Sequence, residues 1–403
     1  MRQTYDIVIA GAGVVGLTMA ALLSRSAHRE RINVVLLDAG ARPGFDIAND
    51  VELRVSAIAP GSAQVFDAIG AWQTIVSKRA CAYREMRVWD AGGFADGPEA
   101  LRFDAAEFAA PELGHIVENS LIQEALLCVL DATPCSLLFD TPLSEVARDG
   151  QRYTVGLGDG RQLAADLVIG ADGGASLVRA QAGIGVRSWR YPQTAFVTHL
   201  RPEIEHRHIA WQRFQRDGPV ALLPLDDGRV STVWSTSDEQ AQLACSASDA
   251  ELGTMLSDAS DRVLGTLTPA GPRAAFPLQA QHADRYVMPR VALIGDAAHS
   301  VHPLAGQGAN LGVADAACLA AVIDNALAGD EHPGDLPVLR RYERARKGAN
   351  STMLHFVDGI QRLFSTDRAV VARLRGAGMA LFNRSGALRR YAVRVALGID
   401  GPA

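Results

Sequence analysis

The chain has 403 residues, 48% of them hydrophobic and 21% charged, with a formal net charge of −6. Such a length buries a large core and predicts two or three domains, and the acidic balance argues against a nucleic-acid partner. Lys78 and Lys347 are the two lysines among 39 basic residues, a bias ascribed to genome composition rather than function. The five cysteines, Cys81, Cys128, Cys135, Cys245 and Cys318, form no CxxC and no metal-like cluster, so a reducing compartment and no metal are expected. No signal peptide is evident, and nothing approaches the ~20 apolar residues of a spanning helix. A cytoplasmic protein is expected, free to lie against the inner face of a membrane.

In chain order, Tyr5 to Ala10 reads as a buried strand, Val14 to Ser26 as a helix and Ile32 to Leu37 as a second strand. Together they make a βαβ pattern. Pro60 to Trp72 predicts a short helix, Tyr83 to Asp90 a strand, and Asn119 to Leu130 a helix. Strand signals follow from 136 to 166, with hairpin turns at Asp149-Gly150 and Asp159-Gly160. Leu167 to Asp172 is a buried strand entering a turn. From 186 to 290 strand patterns alternate, interrupted by a polar helix-like stretch over 238–258. Beyond 305 the chain reads as mainly helical.

Three turns carry chemistry. Gly11-Ala12-Gly13-Val14-Val15-Gly16 fits G-x-G-x-x-G between a strand and a helix. Its glycines permit a tight turn and close approach of the backbone to a pyrophosphate at a helix N-terminus. Asp38 ends the next strand, about 20 residues on, where a carboxylate binds ribose hydroxyls. A ligand-free βα turn is the bland alternative, and the motif alone does not separate FAD from NAD. The second turn is Ala171-Asp172-Gly173-Gly174. The third runs from Gly295-Asp296 to Gly312 and opens a long helix. Nucleotide-type turns near both ends of the chain point to one long cofactor.

Asp166 to Arg179 resembles the "DG" motif of flavin-dependent aromatic hydroxylases, and Gly295-Asp296 resembles their "GD" motif. Leu53 to Ser62, Ile116-Val117-Glu118-Asn119, His302 to Gly312 and parts of Arg362 to Gly398 narrow the resemblance to the ubiquinone-biosynthesis flavin hydroxylases, over nearly the whole chain. The resemblance implies an α/β fold: a Rossmann-like FAD-binding domain with an inserted β-sheet substrate domain and C-terminal helices. We divide it as 1–75, 110–185 and 286–330 for FAD, 76–109 and 186–285 for substrate, and 331–403 for the helices.

The resemblance also implies site roles. Gly11, Gly13, Val15, Gly16 and Asp38 would bind the adenosine and pyrophosphate side. Asp172, Gly173 and Arg179 would serve the pyrophosphate and a transient NAD(P)H, and Gly295 and Asp296 the ribityl side. Arg54 would lie near the flavin and Asn119 beside the ribityl or pyrophosphate region; a surface salt bridge and an N-cap are their bland readings. Many relatives have arginine near the Asn119 position, and Gln123 is as readily a solvated helix residue. After Pro303, the turn with Gly306, Gly308, Ala309 and Asn310 would face the ring, its backbone amides stabilising reduced flavin.

The implied reaction is hydroxylation of the ring of a polyprenylated phenol or quinol on the way to ubiquinone. NAD(P)H reduces FAD, and reduced flavin with O2 forms a C4a-hydroperoxide that the ring attacks. His302 is the candidate catalytic group, although capping or bridging of the loop also explains it. Phe196, His199, Trp211, Phe214, Leu223 and Pro224 are candidate pocket walls, with core packing the better reading of each. Apolar C-terminal faces at Leu354 to Phe364 and Leu388 to Leu397 suit either a bilayer or packing on the chain or a partner copy. A homo-oligomer or a ubiquinone-biosynthesis complex also fits. The alternatives are a hydroxylase of a small soluble aromatic or a flavin-binding subunit of a complex. The tryptophans lack the Trp-x-Trp-x-Ile-Pro spacing of flavin halogenases.

Overall fold

The computed structural model describes residues 3–302 and 306–364, with short pieces at 378–379, 381–383, 385–386, 389–390, 393–394 and 397–398. Five parallel strands form the heart of the first sheet, in the order Val291–Leu293, Gln162–Gly170, Gln3–Ala10, Val34–Leu37 and Ser136–Leu138. Their continuous apolar runs, such as Ile7-Val8-Ile9 and Leu167-Val168-Ile169, are buried because helices and an added hairpin cover the sheet. Val14–Arg25 is the crossover between the strands that begin the βαβ unit. The expected hairpins join Leu143–Asp149, Arg152–Leu157 and Gln162–Gly170.

Register decides where the turns meet. Ala10 is paired with both Gly170 and Leu37, and Gly170 with Leu293. The residues that follow these strand ends are therefore neighbours: Gly11, Asp38, Ala171-Asp172 and Ile294-Gly295-Asp296. This edge, at the carboxyl ends of parallel strands, is where ligands bind in open α/β sheets.

A second, nine-stranded sheet includes Val186–Pro202, Ile209–Gln215, Gly218–Pro224, Val230–Thr236 and Ala274–Ala283, joined by Glu85–Asp90 and Leu101–Asp104. One of its faces packs Phe196, Trp211, Leu222 and Trp234 against Leu252 and Leu256. A small sheet joins Val55–Ile58, Ala80–Tyr83 and Gly114–Glu118.

Several elements differ from the expectations. The polar stretch over 238–258 is two helices, Asp238–Ser246 and Asp249–Ala259. Ser248 and Glu251 form a capping box that starts the second afresh. Pro60 to Trp72 likewise divides into Pro60–Ala68 and Trp72–Val76, around Gly70 with φ +84°. Tyr83 to Asp90 breaks at Arg84, so its two parts join different sheets.

By length and composition, Gly308–Ala328 qualifies as a membrane span, with mean hydropathy 1.6, contrary to the expectation. Core packing accounts for its composition: Val313, Ala316, Leu319 and Ile323 are buried in the main core. The long helix Leu336–Phe364 lies against it.

Candidate cofactor site

Gly11 has φ +105°, and a Cβ there would lie 2.3 Å from the carbonyl oxygen of Ala171. A Cβ on Gly16 would lie 1.9 Å from the Gly11 oxygen. The first turn is thus packed backbone to backbone against both its own helix and the strand that carries Asp172. At Gly13 a Cβ would meet nothing within 4 Å, so the turn presents open space on that side. Asp38 braces it: one carboxylate oxygen accepts from Ala12 N at 2.6 Å and the other from Gly40 N at 2.7 Å. A carboxylate has about four acceptor sites, so capacity remains for ribose hydroxyls. Gln123 donates to Ala12 O at 3.0 Å, which makes it a support of the turn rather than a solvated residue.

The second turn is locked by its own polar groups. Asp172 accepts from Ser176 Oγ at 2.5 Å and from Val178 N at 3.1 Å. Arg179 is buried and donates to Gly174 O at 2.7 Å and Ala297 O at 2.8 Å. Its guanidinium therefore ties the second turn to the third. Gln281, on the second sheet, donates to Gly174 O and Asp296 O and ties both turns to that sheet. Gly173 faces open space, as Gly13 does.

Val15 joins the first and third motifs. A Cβ on Gly295 would lie 3.2 Å from its side chain, and one on Gly312 would lie 2.4 Å from it. Asp296 is exposed to water, yet desolvation by the surrounding protein raises its carboxyl above the usual range, opposed by the charges of His299 and Arg54. A group that water reaches and protein still desolvates stands inside a deep cleft. Arg54 is exposed near that carboxylate, and among the described residues it makes no salt bridge, contrary to its bland reading. Asn119 is the first residue of its helix rather than its cap, which is Glu118, and its Oδ1 accepts from Ser56 Oγ at 2.7 Å.

Behind Asp296 lies a network that sequence reasoning missed. Asp315 is fully buried and accepts from His299 Nε2 at 2.5 Å, Arg346 Nε at 2.8 Å, Asn350 Nδ2 at 3.0 Å and Gly295 N at 3.2 Å. Burial alone would raise its carboxyl, but these partners hold it below the usual range. The available signal was one carboxylate set in an apolar helix face, which requires paired donors.

The helix Gln307–Ala328 starts from Gly306, which has φ +62° and caps it without a side chain. Gly308 meets open space, whereas Gly306 approaches Ala57. Asn310 uses its side chain structurally: Nδ2 donates to Ala57 O at 2.8 Å and Oδ1 accepts from Ala59 N at 2.9 Å. Ala309 is half-buried beside it. Pro303 lies outside the described residues. His302 is 1% exposed, and its Nε2 bonds Gln193 Oε1 at 3.1 Å. Burial pulls its pKa down to about 4, so the ring is neutral at pH 7 and too weak a base to hold a proton there.

The candidate pocket walls separate by face. Phe196 and Trp211 lie in the core beneath Asp249–Ala259, and Pro224 shares the strand parity of Leu222 on that side. Phe214 packs with Val357, and Leu223 with Val51 and Ile116. His199 bonds Glu52 O at 3.1 Å. On the face opposite Trp211, Val197, Val233 and Ala221 stand in one register row, each half-buried.

The residues fit a bound FAD. Turns from four adjacent strand ends converge, open space adjoins Gly13, Gly173 and Gly308, and a reachable carboxylate stands in the cleft. Such a fold and cleft define a flavin-dependent monooxygenase. The FAD binding domain family matches residues 4–357. The chain is 35% identical to 3-demethoxyubiquinol 3-hydroxylase of Escherichia coli (strain K12), over 99% of this chain and 100% of that one. It is 38% identical to ubiquinone hydroxylase UbiL of Rhodospirillum rubrum, over 98% and 90%. With the human mitochondrial ubiquinone biosynthesis monooxygenase COQ6 it shares 37%, over 94% and 89%. Among solved structures, PqsL of Pseudomonas aeruginosa, a probable FAD-dependent monooxygenase, superposes with a TM-score of 0.77 at 25% identity, over 94% and 99%. p-Nitrophenol 4-monooxygenase PnpA of Pseudomonas putida shares the fold, with a TM-score of 0.80 at 18% identity over the whole of both chains. The chain belongs to the FAD-binding-domain family of monooxygenases, alongside these ubiquinone-biosynthesis hydroxylases.

Proposed function

We propose that the protein hydroxylates the aromatic ring of a polyprenylated phenol or quinol during ubiquinone synthesis, using NAD(P)H and O2. The observation that carries this reading is end-to-end similarity to enzymes named for ubiquinone hydroxylation, at 35–38% identity. When bound, FAD supplies the electron transfer and the oxygen activation. The chain supplies placement. Gly11, Gly13, Val15 and Gly16 would hold the pyrophosphate, and Asp38 would accept from the adenosine ribose. Asp172, Gly173 and Arg179 set the second turn beside it. Gly295 and Asp296 would hold the ribityl side, with Arg54 and Asn119 serving at its flank. Pro303 and the helix start at Gly306, Gly308, Ala309 and Asn310 would hold the ring side, where the positive end of the helix would favour the reduced, anionic state.

The substrate ring rests on the row Val197, Val233 and Ala221, an apolar floor that excludes water from the reacting atoms. On this reading 1–75, 110–185 and 286–330 serve the cofactor, 76–109 and 186–285 serve the substrate, and 331–403 is a C-terminal helical region. The tail keeps the substrate in the bilayer, so the enzyme works in the cytoplasm at the inner membrane face. A strain lacking the gene, with its accumulated precursor identified by mass spectrometry, tests the reading. A prenylated ring lacking one hydroxyl is expected. Unchanged ubiquinone, or turnover of simple hydroxybenzoates in preference to prenylated phenols, would overturn it.

A further inference from the structure

Gln193 fixes the state of His302. Its Nε2 donates to Asp217 O, so its Oε1 is the end that faces His302 Nε2 at 3.1 Å. An amide oxygen only accepts, so His302 carries its proton on Nε2. Nδ1 is then a bare lone pair. It is buried and, among the described residues, has no hydrogen-bond partner. A buried acceptor left unpaired is costly and asks for a ligand.

The surroundings narrow that ligand. The His302 ring meets the Tyr191 ring edge-on at 4.9 Å. Tyr191 packs with Ala195, Leu278 and Ala280, and Val233 lies against that cluster. Val233 belongs to the half-open row with Val197 and Ala221. His302 is thus linked to the apolar floor through Tyr191, and it precedes the helix start at Gly306 by four residues. The walls beside it are aromatic and aliphatic except for Asp358, whose carboxylate bonds Tyr191 and faces His302, and a neutral acceptor in that setting suits an O–H donor on a flat ring.

We infer that His302 Nδ1 accepts a hydrogen bond from a free ring hydroxyl of the substrate and sets which hydroxylated rings the enzyme takes. This rests on the proposed function and names the feature of the ring that is read. The phenolic O–H donates and His302 remains neutral. The contact orients the ring and draws electron density toward the carbons to be hydroxylated. A site built to bond a hydroxyl discriminates against the ring that lacks it, because the protein acceptor is then left unpaired.

The test uses the FAD-loaded enzyme, a short-chain prenylated phenol and its O-methyl ether, with binding read from the flavin absorbance. Wild type is expected to prefer the phenol about tenfold, the scale of one unmade buried hydrogen bond. His302→Asn places an amide oxygen near the position of Nδ1 and should keep the preference. His302→Gln places its polar end near Nε2, keeps a donor for Gln193 and should lose it. Equal binding of phenol and ether by wild type overturns the inference without any variant. An undiminished preference in His302→Gln overturns it too. If that variant instead folds but no longer retains FAD, Nδ1 serves the cofactor and the inference fails. If neither ligand perturbs the wild-type flavin, the substrate reading itself fails and takes the inference with it.

Discussion

Asp315 holds four donors from the third turn and the long helix, and the buried charges around it have no other counter-ion at hydrogen-bond distance among the described residues. Replacing it with alanine strands Arg346 in the core. Asp315→Ala should lower stability by about 3–5 kcal/mol in urea unfolding, with loss of bound FAD as Gly295 is freed. Its lowered carboxyl pKa adds stability above the unfolded value of about 4, which is lost as pH falls through the folded value. His302 acts at higher pH. Its folded pKa of about 4 lies below an unfolded value of about 6.5, so the unfolded chain takes the proton first. Its contribution is complete above pH 6.5 and falls by about 1.4 kcal/mol per pH unit down to pH 4. His302→Gln should remove that part of the slope; an unchanged profile would show that the histidine is not neutral in the fold.

Among elements, the third motif contains two kinds of glycine. Gly312 is needed by packing, since a Cβ there would meet Val15 at 2.4 Å. Gly308 faces open space. Gly312→Val should therefore destabilise the fold by about 1–3 kcal/mol, the usual scale of overpacking. Gly308→Trp should leave urea stability intact and abolish the flavin spectrum. Equal effects in both assays would dissolve the distinction. G-x-G-x-x-G, DG and GD were legible because backbone turns require particular residue types at particular spacings. Helix breaks were less legible. Ser246-Ala247-Ser248 carries no glycine or proline; the signal was the S-x-x-E spacing of Ser248 and Glu251, which the sequence reading passed over and which forms a capping box.

At the scale of the molecule, the long helix Leu336–Phe364 spans both parts of the site. Arg346 and Asn350 reach the Asp315 network, while Val357 and Phe364 cover Phe214 on the second sheet. Phe356 on the same helix is 60% exposed and Leu363 43%. Further on, Val393 and Leu397 pack with Ala105 and Leu113, and Arg389 pairs with Glu107 at 2.6 Å, so these residues of the second apolar face serve the chain itself. Leu388 lies outside the described residues. Phe356→Asp with Leu363→Asp should reduce flotation with anionic liposomes severalfold while leaving flavin content unchanged. Undiminished flotation would remove this helix from membrane contact. The sequence by itself determined a dinucleotide-type turn, the alternation of strand and helix and the residues at each turn, because these depend on local spacing and backbone geometry; the choice of FAD came from the family resemblance. Only the tertiary structure decided that Gln123, Gln281 and Arg179 brace the turns, that Asp315 underlies Asp296, and that His302 is buried against Gln193. Those properties come from strand register and from burial among residues far apart in the chain, which no local pattern encodes.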